Sequence, residues 1–132
     1  MILEHFALNV SEPHKMKDWY VEHLDLTVVS EMAEPPFMIF LADESGRVIF
    51  ELYSNPDGEY LDFREMHHLT MHCAFEVRNA AAERTRLESV GCTFVEEVSK
   101  EDGSHLVMLR DPWGLALQLC QRGVRMNSIH LP

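Results

Sequence analysis

One order of secondary-structure signals occurs twice in this chain, and it limits the folds open to it more than any other feature. Residues 2–10 alternate apolar and polar side chains as a strand does, and Pro13–Leu24 follows with Met16, Trp19, Tyr20 and Leu24 at helical spacing. Ser11 and Glu12 ahead of Pro13 make a helix start, because proline suits the first helical turn. Residues 26–30, 37–42 and 48–53 then read as three strands, the last two joined by DESGR at 43–47, a hairpin loop by composition. After the polar segment 54–68 the order returns as strand 69–77, helix 80–90 stopped by Gly91, and strands 92–98, 106–109 and 115–120, with turns at 101–103 and 111–114.

A βαβββ unit used twice predicts an α+β fold. The chain is expected to form one domain over 1–132, with module 1 at about 1–53, a linker at 54–68, module 2 at about 69–120 and a tail at 121–132. That length supplies one sizeable core and not two full-sized domains. The linker, about 15 residues long, spans about 50 Å when extended.

Four polar residues interrupt the strands in a shared register. His5 and Glu51 are 46 residues apart, and so are His72 and Gln118, which hold the corresponding places in the second unit. Successive side chains of a strand point to opposite faces. Phe6, Leu8 and Val10 therefore oppose Leu3, His5, Ala7 and Asn9, while Val48, Phe50 and Leu52 oppose Ile49, Glu51 and Tyr53. In the second unit Met71, Cys73, Phe75 and Val77 oppose Thr70, His72, Ala74 and Glu76, and Leu115, Leu117 and Leu119 oppose Ala116, Gln118 and Cys120. A curved sheet whose convex side packs helices and whose concave side lines a cavity needs this division.

Taken singly, a strand histidine is more often a hydrogen-bonded or surface residue than a ligand, and a strand glutamate is usually solvated. The common register of all four residues favours a site. Two imidazoles, a carboxylate and an amide oxygen form a mixed nitrogen and oxygen set for a divalent metal ion, and Zn, Ni, Fe, Co and Mn all accept it. Four protein ligands leave an octahedral ion two positions for water or for two neighbouring substrate oxygens, on which it acts as a Lewis acid.

The other histidines lack that register. His14 and His23 on the first helix and His67 and His68 in the linker read as solvated, and His130 sits in the polar tail. His105 reads as a surface residue, with a place in a pocket or behind the ligands as the alternative. Cys120 shares a face with Gln118 and reads as a small cavity-wall residue rather than a soft ligand. Tyr53 and Glu76 match the candidates in parity and belong in the outer reaches of such a cavity. Cys73, Cys92 and Cys120, odd in number and without CxxC spacing, read as reduced core thiols.

With 22 acids against 11 bases the formal charge is −11, which repels nucleic acid and anionic membrane surfaces, and no basic patch offsets it. No apolar run is long enough to span a membrane, and MILEHFALNV lacks the basic start of a signal peptide, so a cytoplasmic location is expected.

LEHFALNV, DWYVEHLDLTV, VIFELYSN, MHCAFEV and RDPWGLALQLCQR resemble the vicinal oxygen chelate superfamily, which includes glyoxalase I, methylmalonyl-CoA epimerase, fosfomycin-resistance enzymes, extradiol dioxygenases and bleomycin-binding proteins. The resemblance covers nearly the whole chain. It implies two βαβββ modules forming an eight-stranded curved, cup-like mixed sheet around a metal, with His5, Glu51, His72 and Gln118 in the first-, fourth-, fifth- and eighth-strand ligand positions. Short bacterial glyoxalase I members share the two histidines and the fourth-strand glutamate but place a second glutamate where this chain has Gln118. Extradiol dioxygenases carry their carboxylate on the eighth strand, so Gln118 also argues against that branch. LDL at residues 24–26 departs from the usual Leu-Gly pattern, which bears on a turn and not on chemistry.

An amide cannot accept a proton as a carboxylate does, which leaves Glu51 as the base among the four. The resemblance thus implies a divalent-metal-dependent lyase or isomerase of glyoxalase I type, acting on a small carbonyl or vicinal-oxygen substrate through a metal-stabilised, enediolate-like intermediate. The alternatives are a metal-free small-molecule binding protein of the antibiotic-binding kind and an iron-dependent ring-cleaving dioxygenase. Short relatives form homodimers, and a homodimer is expected here, with the four ligands drawn from one chain or shared between two.

Overall fold

A computed structural model describes residues 1–126. The chain forms two compact units, one spanning Met1–Leu61 and the other starting at Asp62. In the first, β1 (Phe6–Asn9), α1 (Pro13–Leu24), β2 (Thr27–Glu31), β3 (Ile39–Ala42) and β4 (Val48–Tyr53) follow in order. The second repeats the series as β5 (Cys73–Glu76), α2 (Ala80–Glu88), β6 (Thr93–Ser99), β7 (His105–Arg110) and β8 (Ala116–Gln121). The two βαβββ modules and the α+β class stand as expected, and the eight strands lie in two four-stranded mixed sheets, ordered β1-β4-β3-β2 and β5-β8-β7-β6. In each, the first and last strands of the module pair in parallel and the remaining neighbours are antiparallel.

Each sheet packs its helix on one face. Met16 and Tyr20 of α1 are buried with Leu8, Ile39, Leu41, Phe50 and Leu52, and the Tyr20 ring lies 5.8 Å from that of Phe50. In the second unit Leu87 of α2 is buried with Val107, Leu109, Leu115, Leu117 and Leu119. Each such leucine contributes about 1.5–3 kcal/mol through the apolar surface it hides. Phe6, expected on the core face, is 49 % exposed. No described helix is long and apolar enough to cross a membrane.

Several element ends differ from expectation for local reasons. α1 begins at Pro13 with Glu12 as N-cap, and no side chain caps it, so Ser11 plays no capping part. α2 is capped by Asn79, whose side chain accepts from Ala82 N, and it ends at Glu88, with Gly91 at φ +115° in the turn beyond. β1 and β5 are shorter than their alternating patterns because parallel pairing begins only at Phe6 opposite Phe50 and at Cys73 opposite Leu117. His5 and His72 therefore sit one residue before their strands.

The linker is folded rather than extended. Asn9 donates to the carbonyls of Asn55 (2.9 Å) and Glu59 (3.2 Å), holding its first half to module 1. Arg110 donates to the carbonyls of Phe63 (2.9 Å), Met66 (2.8 Å) and Gly114 (2.8 Å), tying its second half to module 2. The turn before β8 is built on buried Asp111, whose Oδ1 accepts from the backbone of Trp113 and Leu115, both at 2.9 Å.

Candidate functional site

The parallel pairing of β1 with β4 sets Ala7 opposite Glu51, and His5, two residues earlier, projects to the same face. His5 Nε2 stands 3.1 Å from Glu51 Oε2, and Glu51 is 13 % exposed in its side chain. The other ring nitrogen, Nδ1, lies 2.6 Å from Glu4 Oε2. Phe40, the cross-strand neighbour of Glu51 on β3, meets the His5 ring edge to face at 5.4 Å and fixes its plane.

Module 2 repeats this register. Ala74 is opposite Gln118, as Ala7 is opposite Glu51, and His72 precedes Ala74 as His5 precedes Ala7. His72 Nδ1 is 3.0 Å from the His68 carbonyl, and because a carbonyl only accepts, Nδ1 carries the proton and Nε2 keeps its lone pair. The His68 ring stacks on His67 at 4.3 Å, and its Nε2 lies 2.9 Å from Glu96 Oε1. Glu96 pairs across the sheet with Met108, which pairs with Gln118, so Glu96 belongs to the same row and face as Gln118. The half-buried Gln118 accepts at Oε1 from the Cys120 thiol at 3.3 Å.

The module 1 pair has the residue types and the spacing that a divalent ion accepts. Two ligand atoms bound at about 2.1 Å and at right angles stand about 3.0 Å apart, close to the 3.1 Å between His5 Nε2 and Glu51 Oε2. Both histidines engage Nδ1 with an oxygen, the arrangement that orients a metal-ligating imidazole. Module 1 thus brings its pair into contact, and module 2 places His72 and Gln118 in the matching register. Among the described residues no three His, Cys, Asp or Glu side chains gather into one metal-binding group.

The remaining expectations divide. His14 pairs with Glu31 (3.0 Å) on the surface, and His23 packs its ring 5.1 Å from Trp19. His68 departs from the solvated reading: its side chain is 12 % exposed and engaged by Glu96. His105 is half-buried, with Nε2 2.9 Å from Glu97 Oε2. Tyr53 is half-buried opposite Asn9, while Glu76 is exposed and held by Arg125 at 2.8 Å. His130 lies outside the described residues.

All three cysteines are free thiols, Cys92 and Cys120 buried and Cys73 half-buried. Burial, with the nearby Asp111 charge adding to it, pushes the Cys73 thiol up to about 11 and the Cys92 thiol up to about 12. Burial also raises the Cys120 thiol, which therefore stays protonated and donates to Gln118.

Sequence reasoning missed Phe40, Glu96 and the structural part of His68. Cross-strand register decides which residues neighbour a ligand, and alternation within one strand does not give that register.

The fold has solved counterparts. An antibiotic binding protein from Streptomyces sp. CB03234, TnmS3, is 18% identical with a TM-score of 0.69, over 92% of this chain and 96% of that one. A glyoxalase family protein from Enterococcus faecalis is 24% identical (TM-score 0.68, 90% and 96% covered), and lactoylglutathione lyase from Agrobacterium tumefaciens is 17% identical (TM-score 0.64, 90% and 92% covered). At such identities the likeness shows the fold alone. No curated protein matches the chain. Residues 2–119 match the family model of the Glyoxalase/Bleomycin resistance protein/Dioxygenase superfamily, and the chain belongs to that superfamily.

Proposed function

We propose that the protein is a divalent-metal-dependent lyase or isomerase acting on a small carbonyl or vicinal-oxygen compound. The observation that carries this reading is the His5–Glu51 contact, 3.1 Å between a ring nitrogen and a carboxylate oxygen, with His72 and Gln118 at the corresponding register positions of module 2. His5, Glu51, His72 and Gln118 would hold the ion, two from each module, in one chain or shared between two chains of a homodimer. A divalent ion bound there supplies Lewis acidity to two neighbouring substrate oxygens.

Glu51 is the base of this reading. Its carboxylate takes the proton from the carbon next to the substrate carbonyl and returns it to the adjacent position. Gln118 stays a neutral amide throughout, so the donor set carries one negative charge where two glutamates would carry two. The site then holds the metal less firmly and draws a developing oxyanion more strongly. His5 and His72, each fixed through Nδ1, keep their Nε2 atoms in place during the proton transfer.

Gln118 also favours a second reading, a metal-free binder of small molecules. An amide both donates and accepts, so it can hydrogen-bond a ligand directly, and TnmS3 is an antibiotic binding protein of this fold. A thermal-shift series with Zn, Ni, Fe, Co and Mn against chelator separates the two. Stabilisation by a metal that chelator reverses supports the enzyme, and a chelator-insensitive melting point unmoved by any metal supports the binder.

A further inference from the structure

Arg122 follows the last residue of β8 and is half-buried. Its Nη2 donates to Cys120 Sγ at 3.9 Å, and the Cys120 thiol donates to Gln118 Oε1 at 3.3 Å, so the guanidinium is drawn back along the face that carries Gln118. These two contacts hold Nη2 within about 7 Å of the Gln118 amide oxygen.

A thiol sulfur is a weak acceptor and occupies one of five guanidinium donors. Arg125, three residues further on, is committed to Glu76. Arg122 forms no ion pair with any described residue. Asp102 senses its charge only weakly, since that carboxyl is held below its usual range chiefly by the Ser104 N–H and hydroxyl. The planar guanidinium fork fits a carboxylate through two parallel hydrogen bonds, and the single contact to Cys120 Sγ leaves its other donors for one.

We infer that Arg122 is a specificity-determining residue that receives a carboxylate of the substrate. Resting on the metal reading above, this narrows the substrate to a small carbonyl or vicinal-oxygen compound whose carboxylate lies a few bonds from the two oxygens held beside Gln118. A net charge of −11 gives anions no general attraction to this protein, so selection for one depends on a cation placed at the site.

Two hydroxamates test it, because both offer adjacent oxygens to a metal and only one carries a carboxylate. Acetohydroxamate and succinate monohydroxamate are titrated calorimetrically into zinc-loaded and metal-free protein. We expect succinate monohydroxamate to bind the zinc-loaded wild type at least about tenfold tighter, an advantage lost in Arg122→Gln and partly kept in Arg122→Lys. Equal affinities in the wild type, or an advantage that survives Arg122→Gln, would overturn the inference. Acetohydroxamate reads the metal separately, and zinc-independent or absent binding counts against the metal reading alone. In that case the Arg122 side-chain 15Nε signal of the metal-free wild type is followed during addition of succinate. A saturable shift supports the carboxylate site, and an unmoved signal overturns it.

Discussion

The carbonyl of His68 accepts the Nδ1 proton of His72 at 3.0 Å, and the His68 ring is itself held 2.9 Å from Glu96. Glu96 lies two strands from Gln118 in the same cross-strand row, so one side chain links the turn that orients His72 to the row that carries Gln118. Removing it frees the His68 ring and loosens the carbonyl behind His72. Glu96→Ala is therefore expected to weaken divalent-metal binding by about two- to fivefold, while Glu96→Gln, which keeps an accepting oxygen, stays near wild type. Isothermal titration of zinc into the three proteins checks this, and equal affinity in Glu96→Ala would contradict it.

Gln118→Glu adds a negative charge to the donor set without changing its shape. Metal affinity should rise, by about tenfold or more, since a charged carboxylate replaces a neutral amide at the ion. Competition against a chromophoric chelator measures the change. Unaltered affinity would mean that position 118 does not ligate.

Gly114 holds φ +91° in the turn that Asp111 organises, and a Cβ there would come within 2.9 Å of the Arg64 backbone nitrogen. An alanine is strained by the backbone angle and by a neighbour that cannot rotate away. Gly114→Ala should lower stability by about 2–4 kcal/mol in urea titrations. A loss under about 0.5 kcal/mol would show that the turn re-forms without the glycine.

The thiols give the protein a pH limit. Cys73 and Cys92 are raised from 9.0 to about 11 and about 12 by burial. A group whose folded pKa is raised keeps its full contribution below the unfolded pKa and loses it as pH rises toward the folded one. Stability should thus be flat with respect to these thiols below pH 9 and fall between about 9 and 11, by roughly 1 kcal/mol per pH unit for each thiol. Double substitution by alanine should flatten that decline in denaturant titrations across the range. An equally steep fall in the double variant would assign it to other groups.

The repeated order of elements was legible because each module carries its own periodicities and turn residues. Pro13–Leu24 and Val48–Tyr53 lie where alternation and helical spacing put them. The coincident spacing of His5 with Glu51 and His72 with Gln118 anticipated the shared register, and the 3.1 Å contact in module 1 follows from it. Strand starts were not legible, since β1 and β5 begin where their parallel partners first pair, a tertiary property. The parts of His68, Glu96, Phe40 and Arg122 were hidden for the same reason: each acts across strands or back along one. Phe6 alternates as a core residue yet stays 49 % exposed at the edge of its sheet.

His5, Glu51, His72 and Gln118 are proposed to bind one divalent ion. Elemental analysis after equilibrium dialysis against Zn, Ni, Fe, Co and Mn in turn tests this most directly, with His5→Ala and Glu51→Gln alongside the wild type. We predict about one ion per chain for at least one of these metals, with most of it lost in either variant. Failure of the wild type to retain any of the five metals stoichiometrically, or full retention by both variants, would contradict the claim.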